Sequence, residues 1–291
     1  MAITSPAGAT TTPVAGPVIT VPGVYDMTNE EYHQDPVPGG SLSSTGARRL
    51  LECPAKYRWE QDHPQAPKKV FDFGTAAHQE VLGRGDGIAL VEADSWRTNA
   101  AQAEAAEARA RGAVPLLPKE YAVVQAMAAA IRRHPVAGPL FAADGVAEES
   151  LFWQDPVTGI WRRARPDWRT GRIVADYKTT TNASDEAISR TISDYGYHQQ
   201  GDWYTTGIRA LGLIEAPAFL LVFQEKTPPY LVNAVEMTAV TLRIGRHRNS
   251  KALALYRECM ETGRWPGYGE TQPGLVSLPV WVEKNELENM S

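Results

Sequence analysis

The chain has 291 residues, of which 43% are hydrophobic and 22% are charged, so it is long enough to bury a full core in one large domain or two small ones. Its formal net charge of −5 excludes a protein that coats nucleic acid by bulk positive charge, although a local basic surface can still bind phosphate groups. We expect neither a secretory nor a membrane-spanning protein, because no basic residue precedes Arg48 and no apolar run approaches about 18 residues.

The N-terminal residues 1–20 are rich in alanine, threonine and proline and carry no charge. This composition predicts a disordered tail, followed by a single folded domain over residues 21–291. The first helix signal is Thr28-Asn29-Glu30-Glu31, a capping-box pattern. It predicts a short helix that ends before Pro36.

Hydrophobic periodicity, capping residues and turn residues predict the remaining elements. The predicted helices cover residues 47–51, 55–61, 71–82, 95–112, 118–134, 184–193, 195–211 and 238–262. The predicted strands cover residues 149–154, 160–168, 172–178, 218–226, 230–237 and 278–283. Turn residues at 155–159 and 169–171 join the first three strands into a meander.

The meander carries the first candidate site. Side chains alternate between the two faces of a strand, so Asp176 and Lys178 share one face of the third strand. Asp167 lies near the end of the preceding strand and can reach the same face across the short turn. Two carboxylates beside a lysine predict a site for a hard cation such as Mg²⁺, which prefers oxygen ligands. The lysine can stabilise charge on a phosphate or help to deprotonate an attacking water.

A D-x-K pattern by itself is more typical of a surface ion pair on an edge strand, so neighbouring residues decide its meaning. His78 lies one turn beyond Gly74 on a predicted helix whose small residues allow close approach to another backbone. Gln200 and Tyr204 are four residues apart on one helical face, where an amide and a phenol can orient a water or bind a phosphate. Each of these is an ordinary core or surface residue when it stands alone.

Two groups of cations are candidates for contact with nucleic-acid phosphates, although charged runs are usually solvated faces. The first group crowds the meander and consists of Arg162, Arg163, Arg165, Arg169 and Arg172. The second group falls on one side of a late helix and consists of Arg243, Arg246, His247 and Lys251.

Five elements occur in a specific order: Gly74-x-x-x-His78, Glu149, Asp167, Asp176-Tyr177-Lys178 and Gln200-x-x-x-Tyr204. In this order they resemble the motif series of the PD-(D/E)XK nuclease superfamily. More narrowly, the chain resembles the exonuclease VIII (RecE-like) group of phage and prophage recombination exonucleases, over about residues 21 to 285. The segments Cys53–Tyr57, Phe73–His78 and Arg165–Asp167 match that group as well.

The resemblance implies a role for each matched residue. Metal ligands would be provided by His78, Asp167, Asp176, the backbone carbonyl of Tyr177, and Glu149. The adjacent Glu148 can take the place of Glu149, because the phase of the strand decides which of the two faces the metal. Lys178 would act on the hydrolytic water or on the scissile phosphate. The residues expected to contact DNA are Arg163, Arg165, Gln200 and Tyr204, of which the last two would form the motif seen in RecB-like relatives.

The fold implied by the resemblance is α/β with a restriction-endonuclease-like core. Its central mixed β-sheet would contain the meander and the two strands between residues 218 and 237, with helices on either side. The implied activity is Mg²⁺-dependent hydrolysis, with Mn²⁺ as a substitute, that degrades linear double-stranded DNA from 5′ to 3′ and leaves 3′ overhangs. A ring-like homo-oligomer, often a tetramer, and a single-strand annealing (RecT-like) partner are implied as well.

The cysteine pattern, and the low specificity of each motif on its own, leave alternative assignments open. Cys53 and Cys259 match neither zinc nor iron–sulfur spacing, which predicts free thiols in a reducing, cytoplasmic compartment and disfavours relatives that carry a four-cysteine cluster. The chain can still be another nuclease of the superfamily, or a catalytically silent DNA-binding or assembly protein on the same fold. It can also be an α/β enzyme of another class with an incidental D-x-K, which a His78 lying more than about 8 Å from both aspartates would favour.

Overall fold

The structure is a computed structural model that describes residues 17–63, 72–85, 87–270 and 273–290. Most of the predicted tail, residues 1–16, and the first residue of the predicted helix 71–82 lie outside these ranges. Ile19 was predicted to belong to the tail, but it is only 1% exposed and its N–H donates a hydrogen bond of 2.9 Å to the carbonyl of Pro36. The folded domain therefore begins before the predicted boundary at residue 21.

The observed elements follow the predicted order closely. Within the described residues the helices are α1 (Asn29–His33), α2 (Ser44–Glu52), α3 (Pro54–Asp62), α4 (Asp72–Leu82), α5 (Asn99–Ala110), α6 (Pro118–Arg133), α7 (Ala137–Ala142), α8 (Asp185–Asp194), α9 (Tyr197–Ala210), α10 (Ala239–Thr262) and α11 (Val280–Asn289). The strands are β1 (Gly23–Tyr25), β2 (Leu42–Ser43), β3 (Ile88–Leu90), β4 (Val114–Leu116), β5 (Val146–Ala147), β6 (Ser150–Gln154), β7 (Trp161–Ala164), β8 (Trp168–Thr170), β9 (Ile173–Thr180), β10 (Ala218–Glu225) and β11 (Val232–Glu236).

Side-chain caps explain where several helices begin. Glu31 Oε2 accepts a hydrogen bond of 2.7 Å from the N–H of Thr28, and the Thr28 side chain accepts from the N–H of Glu31, so the predicted capping box is confirmed. The side chains of Ser43, Ser184 and Thr238 accept from backbone N–H groups in the first turns of α2, α8 and α10. These bonds satisfy donors that a helix leaves without partners at its N-terminus.

The strands of the described part of the chain form a five-stranded sheet, a four-stranded sheet and a two-stranded sheet. The five-stranded sheet has the order β11-β10-β9-β8-β5, with β9 and β10 parallel and the other pairs antiparallel. The four-stranded sheet has the order β1-β6-β7-β2. The central sheet is therefore mixed, as predicted, but it does not contain the whole predicted meander, because β6 and β7 lie in the four-stranded sheet.

Alternation along the central strands sends apolar side chains to both faces of the five-stranded sheet. Val174 and Leu221 join a core that contains Trp203 of α9. Tyr177 and Val222 point to the other face, where they join a core that contains residues of α4, α6 and α7. Helices thus cover both faces, and the α/β arrangement around a central mixed sheet is confirmed.

The predicted strand 160–168 is divided in two. β7 ends at Ala164 in the four-stranded sheet, and β8 begins at Trp168 in the five-stranded sheet. Pro166 lies between them and has no N–H for a sheet hydrogen bond, so the ladder breaks there. The partner segment also changes sheets, between β5 and β6, and the N–H of Glu148 donates to the carbonyl of Asp167 at 3.1 Å. We call this crossing point, residues 148–149 and 165–167, the seam.

The predicted strand at residues 278–283 is wrong, because this segment begins helix α11. Val280 and Val282 favour a strand locally, but Pro279 starts the segment and residues with higher helix propensity follow from Glu283 to Glu288. Among the described residues, none of the helices combines the length and the apolar character that crossing a membrane requires. Cys53 and Cys259 are buried and free.

Candidate functional site

The site begins on β9, the middle strand of the five-stranded sheet. Asp176 is 1% exposed, and its Oδ2 atom contacts the ammonium of Lys178. The predicted shared face of these two side chains is confirmed. Lys178 is therefore the charged partner of this buried carboxylate oxygen.

Asp167 and His78 converge on the same place from the seam and from α4. Asp167 Oδ2 accepts a hydrogen bond of 2.7 Å from the N–H of Tyr177. His78 Nδ1 lies 3.5 Å from the same oxygen, and the His78 ring packs edge to face against Tyr177 with the ring centres 5.0 Å apart. His78 therefore lies well inside the distance expected for a shared site.

Helix α9 closes the opposite side through the predicted pair Gln200 and Tyr204. Gln200 Nε2 donates hydrogen bonds to Asp176 Oδ1 at 3.0 Å and to the Tyr204 hydroxyl at 3.1 Å. The Tyr204 hydroxyl in turn donates to the carbonyl of Arg165 in the seam at 3.3 Å. These bonds connect the D-x-K strand to the seam through one face of α9.

Burial sets the charge states of the site. Burial raises the pKa of Asp167 to about 6, and burial together with the charge of Asp167 raises the pKa of Asp176 to about 6. Burial and the nearby Lys178 lower the pKa of His78 to about 4, so its imidazole is neutral at pH 7. Burial alone would lower the pKa of Lys178, but Asp176 and Asp167 outweigh it and raise that pKa, so Lys178 is a cation.

The structure separates the two candidate glutamates. Both carboxylate oxygens of Glu149 accept hydrogen bonds from Arg169, at 2.6 and 2.7 Å, which engages Glu149 away from the aspartates. Glu148 instead lines a cleft of about 660 Å³ together with His78 and Arg165, and Arg165 binds it at 3.3 Å. Of the two glutamates that the sequence left open, Glu148 is therefore the one that faces the cleft beside His78, and the predicted Glu149 does not. Glu148 has a φ of 51°, a left-handed conformation that is uncommon outside glycine and that places consecutive side chains out of strand phase.

Two of the five candidate arginines of the meander, Arg162 and Arg163, are buried and engaged inside the protein. Arg163 is 7% exposed; it donates two hydrogen bonds of 2.8 Å to Ser41 and pairs with Asp35 at 2.5 Å. Arg162 is 3% exposed and lies 3.8 Å from the ring centre of Trp203. The assignment of Arg163 as a DNA contact is therefore wrong, because its guanidinium is already bound to Ser41 and Asp35 inside the protein. Arg165 is also largely enclosed, with hydrogen bonds to the carbonyl of Met27 at 3.1 Å and to Glu148 at 3.3 Å, but unlike Arg163 it lines the cleft.

One neighbour of the site was not recognised in the sequence. The Lys178 ammonium lies 5.1 Å from the centre of the Tyr197 ring, the first residue of α9. Tyr195 stacks on Tyr197, with ring centres 5.8 Å apart and an angle of 17° between the ring planes. The available signal was the Tyr195-Gly196-Tyr197 sequence at a helix start, which places two aromatic rings on either side of a flexible residue.

The donor atoms of the site fit a divalent cation. Gln200 Oε1 is a buried oxygen without a hydrogen-bond partner in the described part of the chain, and Asp176 Oδ2 is buried against the Lys178 ammonium. A hard cation takes such oxygens as ligands. The neutral imidazole of His78 retains a lone pair for a metal. Across the described ranges, no three His, Cys, Asp or Glu side chains stand in a ready metal-ligating arrangement, and the cation now beside Asp176 is the Lys178 ammonium.

A mixed sheet whose middle strand carries an Asp-x-Lys, with a second aspartate at the adjoining turn, defines a PD-(D/E)XK nuclease-like core. The family model of the PDDEXK-like domain of unknown function (DUF3799) matches residues 43–272, more than half of the chain. The protein belongs to this family. A search of the curated proteins finds no match.

The fold is also similar to a solved structure. The crystal structure of a protein from Eubacterium rectale described as a "Putative exonuclease" has a TM-score of 0.59 at 12% identity, and the alignment covers 90% of this chain and 98% of that chain. Identity this low shows a common fold alone. The restriction-endonuclease-like core that the sequence predicted is confirmed.

Proposed function

We propose that this protein is a metal-dependent nuclease that hydrolyses phosphodiester bonds in DNA, acting as an exonuclease on the ends of linear double-stranded DNA. The observation that carries the proposal is the convergence of His78, Asp167, Asp176 and Lys178, from α4, the seam and β9, on one buried polar site. Membership of a PDDEXK-like family supports the same class of chemistry.

Each residue has a task in this proposal. The metal would be held by Asp167, Asp176, His78 and the carbonyl of Tyr177, with Glu148 beside them. Bound Mg²⁺, or Mn²⁺ in its place, supplies Lewis-acid polarisation of the phosphate and a water of lowered pKa. Lys178 remains an ammonium and stabilises negative charge that develops on the phosphate oxygens.

Helix α9 supplies the remaining polar group. Gln200 uses its Nε2 atom to position Asp176, which leaves its Oε1 atom to accept a hydrogen bond from the attacking water or to bind the cation. Tyr204 holds Gln200 in this orientation through its hydroxyl. Arg165 lines the adjoining cleft and is the meander arginine that we assign to a DNA phosphate, together with Gln200 and Tyr204.

The finer details of the proposal rest on the sequence resemblance alone. They are degradation from 5′ to 3′, production of 3′ overhangs for homologous recombination, a ring-shaped homo-oligomer and cooperation with a single-strand annealing protein. Strand-specific end labels, solution mass measurement and co-purification test these details separately from the chemistry.

The central test compares plasmid DNA as covalently closed circles and after a single cut, with Mg²⁺ or with EDTA, sampled over time on a gel. An exonuclease degrades the linear form and leaves the closed circles intact. The rate falls as salt rises, because each cationic contact to a phosphate loses part of its counterion-release advantage.

Two variants make this test specific. Asp176→Asn should lose the Mg²⁺-dependent activity, whereas the surface change Asp94→Asn should retain it. Equal loss of closed and linear DNA would replace the exonuclease by an endonuclease. DNA binding without any hydrolysis in Mg²⁺ or Mn²⁺ would identify a catalytically silent binding protein and overturn the proposed activity.

A further inference from the structure

The turn between α8 and α9 brings two tyrosine rings together. Gly196 has a φ of 66°, in the left-handed region that glycine adopts without strain, and it reverses the chain between Tyr195 and Tyr197. The two rings consequently stack nearly parallel, 5.8 Å apart. A β-carbon at Gly196 would also lie 2.8 Å from Cδ of Arg48, so the turn is specific to glycine for a second reason.

The stacked pair extends from solvent to the proposed catalytic lysine. Tyr197 is half-buried, with Phe223 behind it at 6.1 Å between ring centres and the Lys178 ammonium 5.1 Å from its own ring centre. Tyr195 lies one ring further out and is 58% exposed. The exposed aromatic surface is therefore continuous with Lys178, the residue that we assign to the scissile phosphate.

A cation lies beside this aromatic surface. Arg48 of α2 donates a hydrogen bond to the carbonyl of Tyr195 and so fastens the turn to α2. Within the described residues, Arg48 Nε is buried and makes no hydrogen bond, and the carboxylate paired with it, Glu52, is 3.7 Å away. An arginine next to a stacked aromatic pair offers the two chemical groups that single-stranded nucleic acid uses, a positive charge and a planar face.

We propose that Tyr195 and Tyr197 form a stacking platform for an unpaired nucleobase of the strand whose phosphate lies at Lys178, with Arg48 near the adjacent phosphate. This inference rests on the proposed function and specifies its substrate as a DNA end that is frayed or single-stranded at the site. A base inside an intact duplex has both faces covered by its neighbours, so the exposed ring of Tyr195 can stack only at a DNA end: on an unpaired base, which this proposal specifies, or on the outer face of the terminal base pair. Stacking is tolerant of sequence because every base has a planar face.

The test measures, by fluorescence anisotropy in EDTA, the binding of a fluorescein-labelled strand of 12 thymidine nucleotides. The proteins compared are the wild type, Tyr195→Ala, Tyr195→Phe and Tyr268→Ala. Tyr268 is 70% exposed and lies outside the site, so Tyr268→Ala is the matched control. Tyr195→Ala should weaken binding by about 5- to 150-fold, the cost of one lost base stack. Tyr195→Phe, which keeps the ring, and Tyr268→Ala should both bind like the wild type.

A second probe separates stacking from charge. A strand of the same length with abasic sugars keeps every phosphate and lacks the bases, so the wild type and Tyr195→Ala should bind it equally. In Mg²⁺, Tyr195→Ala should raise KM for a duplex with frayed ends while kcat changes little.

The outcomes distinguish this inference from the proposed function. If the wild type degrades linear DNA and Tyr195→Ala matches it with all three substrates, the platform is overturned and the nuclease assignment stands. Equal weakening on the abasic strand would also overturn stacking, since only phosphate contacts would then be affected. If the wild type neither binds nor degrades any of these substrates, both proposals fall.

Discussion

The backbone N–H of Tyr177 donates a hydrogen bond of 2.7 Å to Asp167 Oδ2, which joins the residue between Asp176 and Lys178 to the carboxylate in the seam. The two halves of the site are thus held together by a bond that involves neither a metal nor the D-x-K side chains. The other carboxylate oxygen, Asp167 Oδ1, takes no part in this hydrogen bond.

Asp167→Asn should abolish cleavage while the fold remains. The asparagine carbonyl can still accept from the N–H of Tyr177, but a neutral amide is a much poorer ligand for a hard cation. Loss of even an outer partner of a metal ligand costs about 10- to 100-fold, so the rate in Mg²⁺ should fall by at least about 100-fold. Rate and Tm are measured together, with Asp94→Asn as the control. Wild-type activity in Asp167→Asn would remove Asp167 from the site.

Lys178→Ala should separate chemistry from metal capture. Loss of a group that stabilises charge in the transition state costs about 100- to 1,000-fold in turnover. The Mn²⁺ affinity should be retained or increased, because the ammonium that contacts Asp176 is removed. Turnover is compared with Mn²⁺ affinity from calorimetric titration. Recovery of wild-type turnover at high Mn²⁺ would show instead that Lys178 acts through metal binding.

The metal-free protein should become less stable as pH rises through about 6. Burial raises the pKa of Asp167 and Asp176 to about 6, so the folded state binds protons more tightly than the unfolded state does. This contribution to stability is complete below the ordinary aspartate pKa of about 4 and is lost as pH rises past about 6. Tm in EDTA should therefore fall between pH 5 and pH 7.5 more in the wild type than in the double variant Asp167→Asn, Asp176→Asn.

Divalent cations should reverse this loss. A cation competes with protons for the two carboxylates, so Mn²⁺ or Ca²⁺ should raise Tm more at pH 7.5 than at pH 5. The double variant should show no such difference. A Tm increase that is independent of pH and equal in the double variant would locate the cation elsewhere.

Glu148 and Glu149 should have opposite phenotypes. Glu149→Gln removes the negative charge that accepts two hydrogen bonds from Arg169. Hydrogen bonds to charged groups contribute about 1.5 to 3 kcal/mol, so Tm should fall, whereas activity should remain. Glu148→Gln should reduce activity because this side chain lines the cleft with His78. The two variants serve as controls for each other in parallel assays of unfolding and cleavage. Activity loss confined to Glu149→Gln would reverse the assignment.

Arg163→Met should lower stability without changing DNA affinity. The substitution removes the buried cationic partner of Asp35, whose carboxylate keeps two hydrogen bonds from Ser41, so the loss should lie below the about 3 to 5 kcal/mol of an uncompensated buried charge. Urea unfolding measures the stability, and binding of the folded variant to DNA is measured below its transition. Arg243→Met on the exposed face of α10 is the stability control. A stable Arg163→Met with weakened DNA binding would return Arg163 to the DNA interface.

Local patterns in the sequence predicted much of the fold and the centre of the site. Strand alternation placed Asp176 and Lys178 on one face, and helical spacing placed Gln200 beside Tyr204; both relationships hold in the structure. These predictions succeeded because each depends on the geometry of a single element, which a few consecutive residues fix.

Tertiary structure decided which neighbours complete the site. The choice between Glu148 and Glu149 follows from a chain that changes sheets at the seam with a left-handed residue, which no alternation rule for one continuous strand can describe. The same change of sheets divides the predicted strand 160–168 at Pro166.

The chain by itself thus determined that an aspartate and a lysine would share a face within an α/β fold, and that a histidine and a Gln-Tyr pair would be available to join them. Only the tertiary structure decided that Arg163 is buried against Asp35 while Arg165 reaches the cleft, and that Tyr195 and Tyr197 stack beside Lys178. The physical reason is that burial and pairing arise from contacts between residues distant in sequence, whose free energy depends on where whole elements pack and not on the spacing within any one of them.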